Sequence, residues 1–267
     1  MAESGWARVA VRMAVAVLAA LCTITPAPAL AQETAGARLT IGAGPQLAPD
    51  YIGSDSYTLG ATGRLRVGYL RLPGGLEFGN PDPSYVERGF GLRGSFRYIG
   101  SRRAGDNSEL AGLEDVDQSL EIGLGLGYEE RNWRAFADAR YGVIGHSAWV
   151  GEFGADAIVH PTDQLVVNFG PRVGWGSDRF MNTYFGVDEA EAARAPRLDE
   201  FNPSSGLYSV GAELGARYYF SDRWGVEGAL TYDRLIEDAG DSPIVGLGSR
   251  DQFGARVLIT RSISLGF

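Results

Sequence analysis

Apolar and polar residues alternate with period two along most of the chain. In "SLEIGLGLGY" Leu120, Ile122, Leu124, Leu126 and Tyr128 share one face, while Ser119, Glu121, Gly123, Gly125 and Gly127 take the other. "WGVEGALTYD" opposes Trp224, Val226, Leu230 and Tyr232 to Gly225, Glu227, Thr231 and Asp233. In "YSVGAELGARYYF" Tyr208, Val210, Leu214, Tyr218 and Phe220 stand against Ser209, Glu213 and Arg217, and "RVLITRSISLGF" carries the same rhythm to Phe267. Strict alternation marks strands whose two faces meet different surroundings.

This spacing predicts eleven strands, near 38–47, 57–67, 69–79, 89–99, 118–128, 132–144, 150–159, 164–175, 207–220, 223–234 and 252–267. The apolar face often carries an aromatic at or near a strand end: Tyr57, Tyr69, Trp133, Tyr141, Trp175, Trp224 and Phe267. A soluble sandwich hides its apolar face behind aliphatic packing, whereas aromatic collars at both ends of an apolar belt suit a barrel standing in lipid. Short connections (129–132, 161–164, 221–223) mostly alternate with long ones (101–118, 178–206, 235–250), as turns on one side of a membrane and loops on the other would. The segment 146–151 is short where a long loop is due. The expected fold is all-β, an antiparallel up-and-down transmembrane barrel of the outer-membrane type. Such single-chain barrels have even strand numbers; about twelve strands are expected, with ten as the alternative.

The N-terminal segment does not fit this rhythm. Arg8 and Arg12 precede an apolar run from Met13 to about Ile24, then a Pro-rich stretch and Ala29-Leu30-Ala31. That order predicts a secretory signal peptide, residues 1–31, cleaved before Gln32, with one barrel domain over 32–267. Cys22 follows Leu21, and the bulk of Leu21 argues against a lipid anchor there. The chain has this single Cys, so its stability owes nothing to disulfides. Lysine is absent, every basic side chain is Arg, and the net charge is −9, which argues against a nucleic-acid partner. Expected surroundings are the outer membrane of a Gram-negative bacterium, its lipid, and the barrel-assembly machinery, for which Phe267, with Leu265 and Ile263 on the same face, resembles the terminal signal.

Alternation also sorts the candidate chemistry. Inward arginines are Arg64, Arg66, Arg93, Arg97, Arg134, Arg140, Arg172, Arg217 and Arg256; inward acids are Glu121, Asp138, Glu152, Asp156, Glu213, Glu227 and Asp233. Near-balance implies guanidinium–carboxylate pairing across the lumen, since the Arg fork matches a carboxylate. Arg93, Arg97, Glu121, Arg134, Asp138, Arg140, Arg172, Glu213, Arg217 and Glu227 are the expected ion-pair plug, with a narrow channel or small-ligand barrel as the rival reading. No catalytic set is expected: of two histidines, His160 lies in a tight turn, and His146, expected as a rim or surface residue, has Ser147 on the opposite side of the strand. A hydrolase centred on His146 is the weakest reading. The acids of 188–200 (Asp188, Glu189, Glu191, Asp199, Glu200) lack calcium-loop spacing, and 188–195 reads as a short helix. No metal or cofactor is expected.

Asp50, Tyr51, Ser54 and Asp55 form one loop motif, and Asp241, Ser242 and Pro243 another, with typical turn and cap chemistry. Tyr184 and Phe185 are aromatics within a loop, expected to fold back over the barrel mouth. Together these nine residues are the candidate rim interaction site. Three stretches carry a family resemblance: "PDYIGSDSY" (49–57) after the strand "LTIGAGPQL", "FMNTYFGV" (180–187), and "DAGDSPIV" (238–245) before the last strand. "GLEDVDQSLE" (112–121) adds to them. In this order and spacing the chain resembles the MipA/OmpV family of outer-membrane proteins. That resemblance implies an outer-membrane barrel, a structural or scaffolding role in the cell envelope, and murein-degrading or murein-synthesising enzymes as partners.

Overall fold

The computed structural model describes residues 36–71, 77–79 and 88–266. The signal peptide and Phe267 expected from the sequence lie outside the described residues. The strands are β1 (Gly36–Pro49), β2 (Tyr57–Arg71), β3 (Glu77–Gly79), β4 (Gly89–Ile99), β5 (Ser119–Glu129), β6 (Trp133–Ile144), β7 (Trp149–Thr162), β8 (Leu165–Gly176), β9 (Gly206–Tyr219), β10 (Trp224–Leu235) and β11 (Asp251–Gly266). Four short helices decorate the long connections: α1 (Asp178–Phe185), α2 (Glu189–Arg194), α3 (Glu237–Asp241) and α4 (Pro243–Gly246).

All pairings are antiparallel, and the order is β3-β2-β1-β11-β10-β9-β8-β7-β6-β5-β4. The last strand therefore pairs with the first, Gly36 opposite Gly266, so the sheet curls into a barrel. At the seam, β2 and β4 run side by side without a ladder among the described residues, and a Cβ on Gly94 would lie 3.6 Å from Val67 Cγ2. Ten long strands make a nearly closed barrel, so the expectation of twelve is corrected to its alternative. The segment read as a strand over 69–79 is instead the end of β2 plus the three-residue β3. The reason is a register shift at Gly68, which lets β2 run on and sets Tyr69 opposite Arg38 instead of in line with Leu65 and Val67.

The outer surface is apolar. Leu59, Phe90, Leu124, Phe169, Leu230 and Phe253 are more than half exposed, Phe90 to 80%. In water this would be an aggregation surface; it is the face a lipid-embedded barrel presents. Aromatics collar both ends. At the short-turn end Phe90 meets Tyr128 edge-on and Tyr128 stacks on Trp133, with centroids 4.9 and 5.3 Å apart. Tyr141 packs edge-on against Trp149, and Tyr232 against Phe253 at a tilt, at the long-loop end. No helix among the described residues is long and apolar enough to cross a membrane.

Candidate functional site: a capped, ion-paired lumen

At the long-loop end, α1 is driven inward by its own composition. Phe180, Met181, Tyr184 and Phe185 fall on one helical face, and all four are buried. They pack on Tyr208, Ala148, Val150, Leu235, Ala239 and Val245, which are rim and loop residues. The Ser242 hydroxyl donates to the Phe185 carbonyl (2.7 Å), tying α4's N-terminus to the end of α1. A second apolar cluster lies beside the first: Tyr51 from loop one, Leu110 and Leu113 from the 101–118 loop, Val187, Leu198 and Ile244. Arg102 donates to the Tyr184 carbonyl (3.1 Å) from the same side. The long loops thus form a lid with its own core.

Of the nine rim candidates, the structure brings Tyr51, Ser54, Tyr184, Phe185 and Ser242 together in or beside this lid, all buried. Pro243 starts α4 as its first residue. Gly53, with φ of 101°, lets loop one pass within reach of Val245; a Cβ there would meet Val245 Cγ2 at 2.8 Å. Its amide donates to Gln252 Oε1 (3.0 Å). Asp55 and Asp241 stay outside on the surface, where Asp241 pairs with Arg250 (2.8 Å). Burial and the nearby Glu109 raise the Asp50 carboxyl above its usual range. Burial, then Glu109, pushes the Tyr51 phenol up to about 12.

Below the lid lies a layer that sequence reasoning placed wrongly. His146 is buried, not at the surface, because the β6–β7 connection folds inward beneath α1. Its Nδ1 accepts from the Ala148 amide (3.1 Å), so Nε2–H is the donor toward Glu121 Oε1 (3.2 Å). Gly142 makes room for the ring: a Cβ there would lie 2.4 Å from His146 Cε1. Ser147 is half-buried and donates to the Gly145 carbonyl instead of meeting the imidazole. Tyr184 donates its hydroxyl hydrogen to Ser119 Oγ (3.0 Å), which also receives the His146 amide. With Nδ1 occupied by a backbone donor and Nε2–H by a carboxylate, the histidine has no free nitrogen for a nucleophile. His160 is exposed on β7.

Tyr208, assigned by alternation to the lipid face, is also buried in this layer. A register shift between Gly174 and Trp175 leaves Tyr208 as the extra residue of β9 and turns it inward. Its hydroxyl accepts from Arg97 Nη1 (2.9 Å).

Further down, ion pairs cross the lumen. Arg140 Nε holds Glu121 (2.9 Å) and Nη1 holds Glu152 (3.0 Å). Arg93 meets Asp138 (3.2 Å), which also accepts from the Ser95 hydroxyl (2.9 Å). Asp156 binds both Arg134 (2.7 Å) and Arg172 (2.9 Å), and Glu213 binds Arg172 (3.3 Å) and Arg256 (2.7 Å). Glu227 takes Arg64 and, at 3.7 Å, Arg66. Of the plug candidates, Arg97 pairs with a phenol and Arg217 with no carboxylate among the described residues; the others are joined. Phe136 escaped the sequence reading because alternation places an apolar ring in a charged lumen. The guanidinium carbons of Arg93 and Arg172 lie 3.9 and 5.1 Å from its centroid, and Gly154 opposite leaves it space. In the 188–200 loop, Asp188 and Glu191 are consumed by a reciprocal capping box on α2. No cluster of metal-ligating side chains forms among the described residues.

Only a barrel standing in lipid has reason to turn Leu and Phe outward and guanidinium–carboxylate pairs inward; the class is an outer-membrane β-barrel. Within that class, residues 41–263 match the family model described as MltA-interacting protein MipA, and the chain belongs to that family. The MltA-interacting protein of Escherichia coli (strain K12) is 32% identical over 155 residues, covering 55% of this chain and 58% of the relative. The Shigella flexneri protein of the same name matches to the same extent. The match thus spans less than two thirds of these curated relatives. Among solved structures, an outer-membrane channel from Pseudomonas putida F1 overlaps 90% of this chain and all of its own, with 13% identity and a TM-score of 0.44.

Proposed function

We propose that this barrel is a non-enzymatic interaction protein of the cell envelope that holds a murein-processing enzyme at the inner face of the outer membrane. The carrying observation is the sealed lumen. Phe180 and Phe185 are fully buried under the long loops, and Glu121 and Arg140 are buried beneath them. A barrel filled this way offers partners its surfaces instead of a passage. The name of its relatives, MltA-interacting protein, supplies the partner class. Export by a cleaved signal peptide and insertion by the barrel-assembly machinery through Phe267 belong to the same proposal. The short turns at Glu129–Asn132, Thr162–Leu165 and Phe220–Arg223 are the surface such an enzyme would meet.

The test is direct binding between the detergent-refolded barrel and a purified lytic transglycosylase of the MltA type from the same bacterium. Specific binding, weakened by charge reversal at Glu130 and Asp163, is the expected result. No association with the intact barrel would remove the reading.

A further inference from the structure

One arginine interrupts the apolar wall of the barrel. Along β11, Thr260 and Ser262 face the lumen, Thr260 buried and Ser262 bonded to Thr40 Oγ1 (3.1 Å). Alternation then turns Val257, Ile259, Arg261, Ile263 and Leu265 outward, and Val257, Ile259 and Leu265 are exposed there. The ladders fix what surrounds Arg261 on that face. Ile41 of β1 and Trp224 of β10 stand directly opposite it, and Ile259 and Ile263 flank it on its own strand. A charge set among lipid tails is costly and calls for a partner.

No carboxylate among the described residues is that partner. Arg234 also faces outward, at the long-loop rim, and there Asp251 directly opposite accepts from its Nη1 (2.7 Å). Arg261 has only apolar residues in its ladders, and Asp222 in the adjoining short turn forms no ion pair with it. Instead its guanidinium carbon lies 5.2 Å from the centroid of the Trp224 ring. Stacking engages the plane of the guanidinium and leaves its N–H edge free to donate. The level is that of the short turns: Trp224 is the first residue of β10, and the Ser262 amide donates to the Arg223 carbonyl (2.8 Å). Arg223, exposed in that turn, adds a second cation there.

We propose that Arg261, Trp224 and Arg223 bind the headgroup of an anionic glycerophospholipid in the leaflet beside the short turns. A phosphodiester presents anionic oxygens that the Arg fork takes two at a time. Tryptophan suits this depth, because its ring is apolar and its N–H polar. The acyl chains would run toward the middle of the membrane over Ile259, Val257 and Val226, which continue the same face. A zwitterionic headgroup carries its own cation, which competes with the arginine for the phosphate; an anionic headgroup does not, so the site selects by charge. A second copy of the chain is the weaker occupant, since Asp251, the outward carboxylate of β11, lies at the other rim and is already held by Arg234. The site spans the β10–β11–β1 ladders, where the last strand meets the first, so a bound lipid would brace the closure of the barrel.

The experiment uses the full-length barrel refolded in detergent and titrated with phosphatidylglycerol or with phosphatidylcholine of the same acyl chains, the retained lipids being counted by native mass spectrometry. The first phosphatidylglycerol is expected to bind about fivefold more tightly than phosphatidylcholine, the effect of one arginine at a membrane surface. Arg261→Leu suits a lipid-facing strand and should erase that preference; Arg261→Gln serves equally if the Leu variant does not refold. Arg234→Gln, at the opposite rim, should leave the preference intact. Equal binding of the two lipids to the native barrel, or a preference that survives the loss of Arg261, would overturn the site. Displacement of the lipid by millimolar inorganic phosphate would overturn the lipid assignment in favour of free phosphate. A lipid-free dimer that Arg261→Leu dissociates would assign Arg261 to a second copy and overturn it equally.

Discussion

The phenol of Tyr51 donates to Glu109 at 3.4 Å while its ring is buried with Leu110 and Ile244. Folding holds its proton more tightly than the unfolded chain does, because burial and a neighbouring carboxylate both disfavour the phenolate. The sign follows. The folded state binds more protons between the usual value near 10 and about 12, so this contribution to stability is intact below pH 10 and fades as pH rises toward 12. The melting temperature of the lid is expected to fall across that window, and Tyr51→Phe to flatten the fall; parallel curves for both proteins would exclude this role for Tyr51. At the same scale, sequence reasoning identified the charged lumen residues because alternation sorts any strand residue to a face. It misplaced Tyr208 and His146 for one shared reason. A single extra residue in β9, or a connection that folds inward, reverses the face, and neither leaves a mark in the alternation itself.

The lid is an element-scale device. Helix α1 is eight residues long, too short to be stable alone, and it persists because four of its side chains are buried under neighbouring loops. Phe180→Ala would remove a fully buried ring that packs at 5.1 Å from Tyr208 and 4.9 Å from Tyr184. Such truncations cost about 3–5 kcal/mol. Because the lid's core is separate from the strand ladders, that cost should appear as local opening. Backbone amides of 178–187 should exchange with solvent faster in the variant, while those of β8 and β9 stay protected. Uniformly faster exchange would contradict a lid with its own core. Its existence was partly legible: "FMNTYFGV" carries more apolar surface than an exposed loop needs. Its partners were not, since the contacts of Tyr51, Leu110 and Ile244 span well over a hundred residues of chain and obey no period.

For the whole molecule, class and family were legible, because the outward alternation and the loop motifs are repeated many times over. Strand number was not. Gly68 breaks the rhythm of β2 with a bulge that reads in sequence like a strand boundary. Nine inward arginines against seven acids read as a balanced lumen, yet among the described residues Arg140 alone holds both Glu121 and Glu152, while Arg64, Arg66, Arg134, Arg172 and Arg256 share Asp156, Glu213 and Glu227. Only the ladder register reveals that order.

These features converge on a lumen closed twice, by aromatic packing at the lid and by guanidinium–carboxylate pairs beneath it. Removing one partner of a buried pair costs about 3–5 kcal/mol and leaves a charge to be hydrated. Arg172 joins Asp156 to Glu213, so Arg172→Ala leaves each carboxylate with one arginine, Arg134 and Arg256, and opens the gap between them to water. The measurement that bears most directly on this closure is single-channel conductance of the purified protein in a planar lipid bilayer, native beside a double variant carrying Phe180→Ala and Arg172→Ala. A silent native barrel, with current steps only from the variant, is the predicted result. Stable conductance steps from the native barrel would contradict it, and the account of a sealed envelope protein would give way to that of a channel.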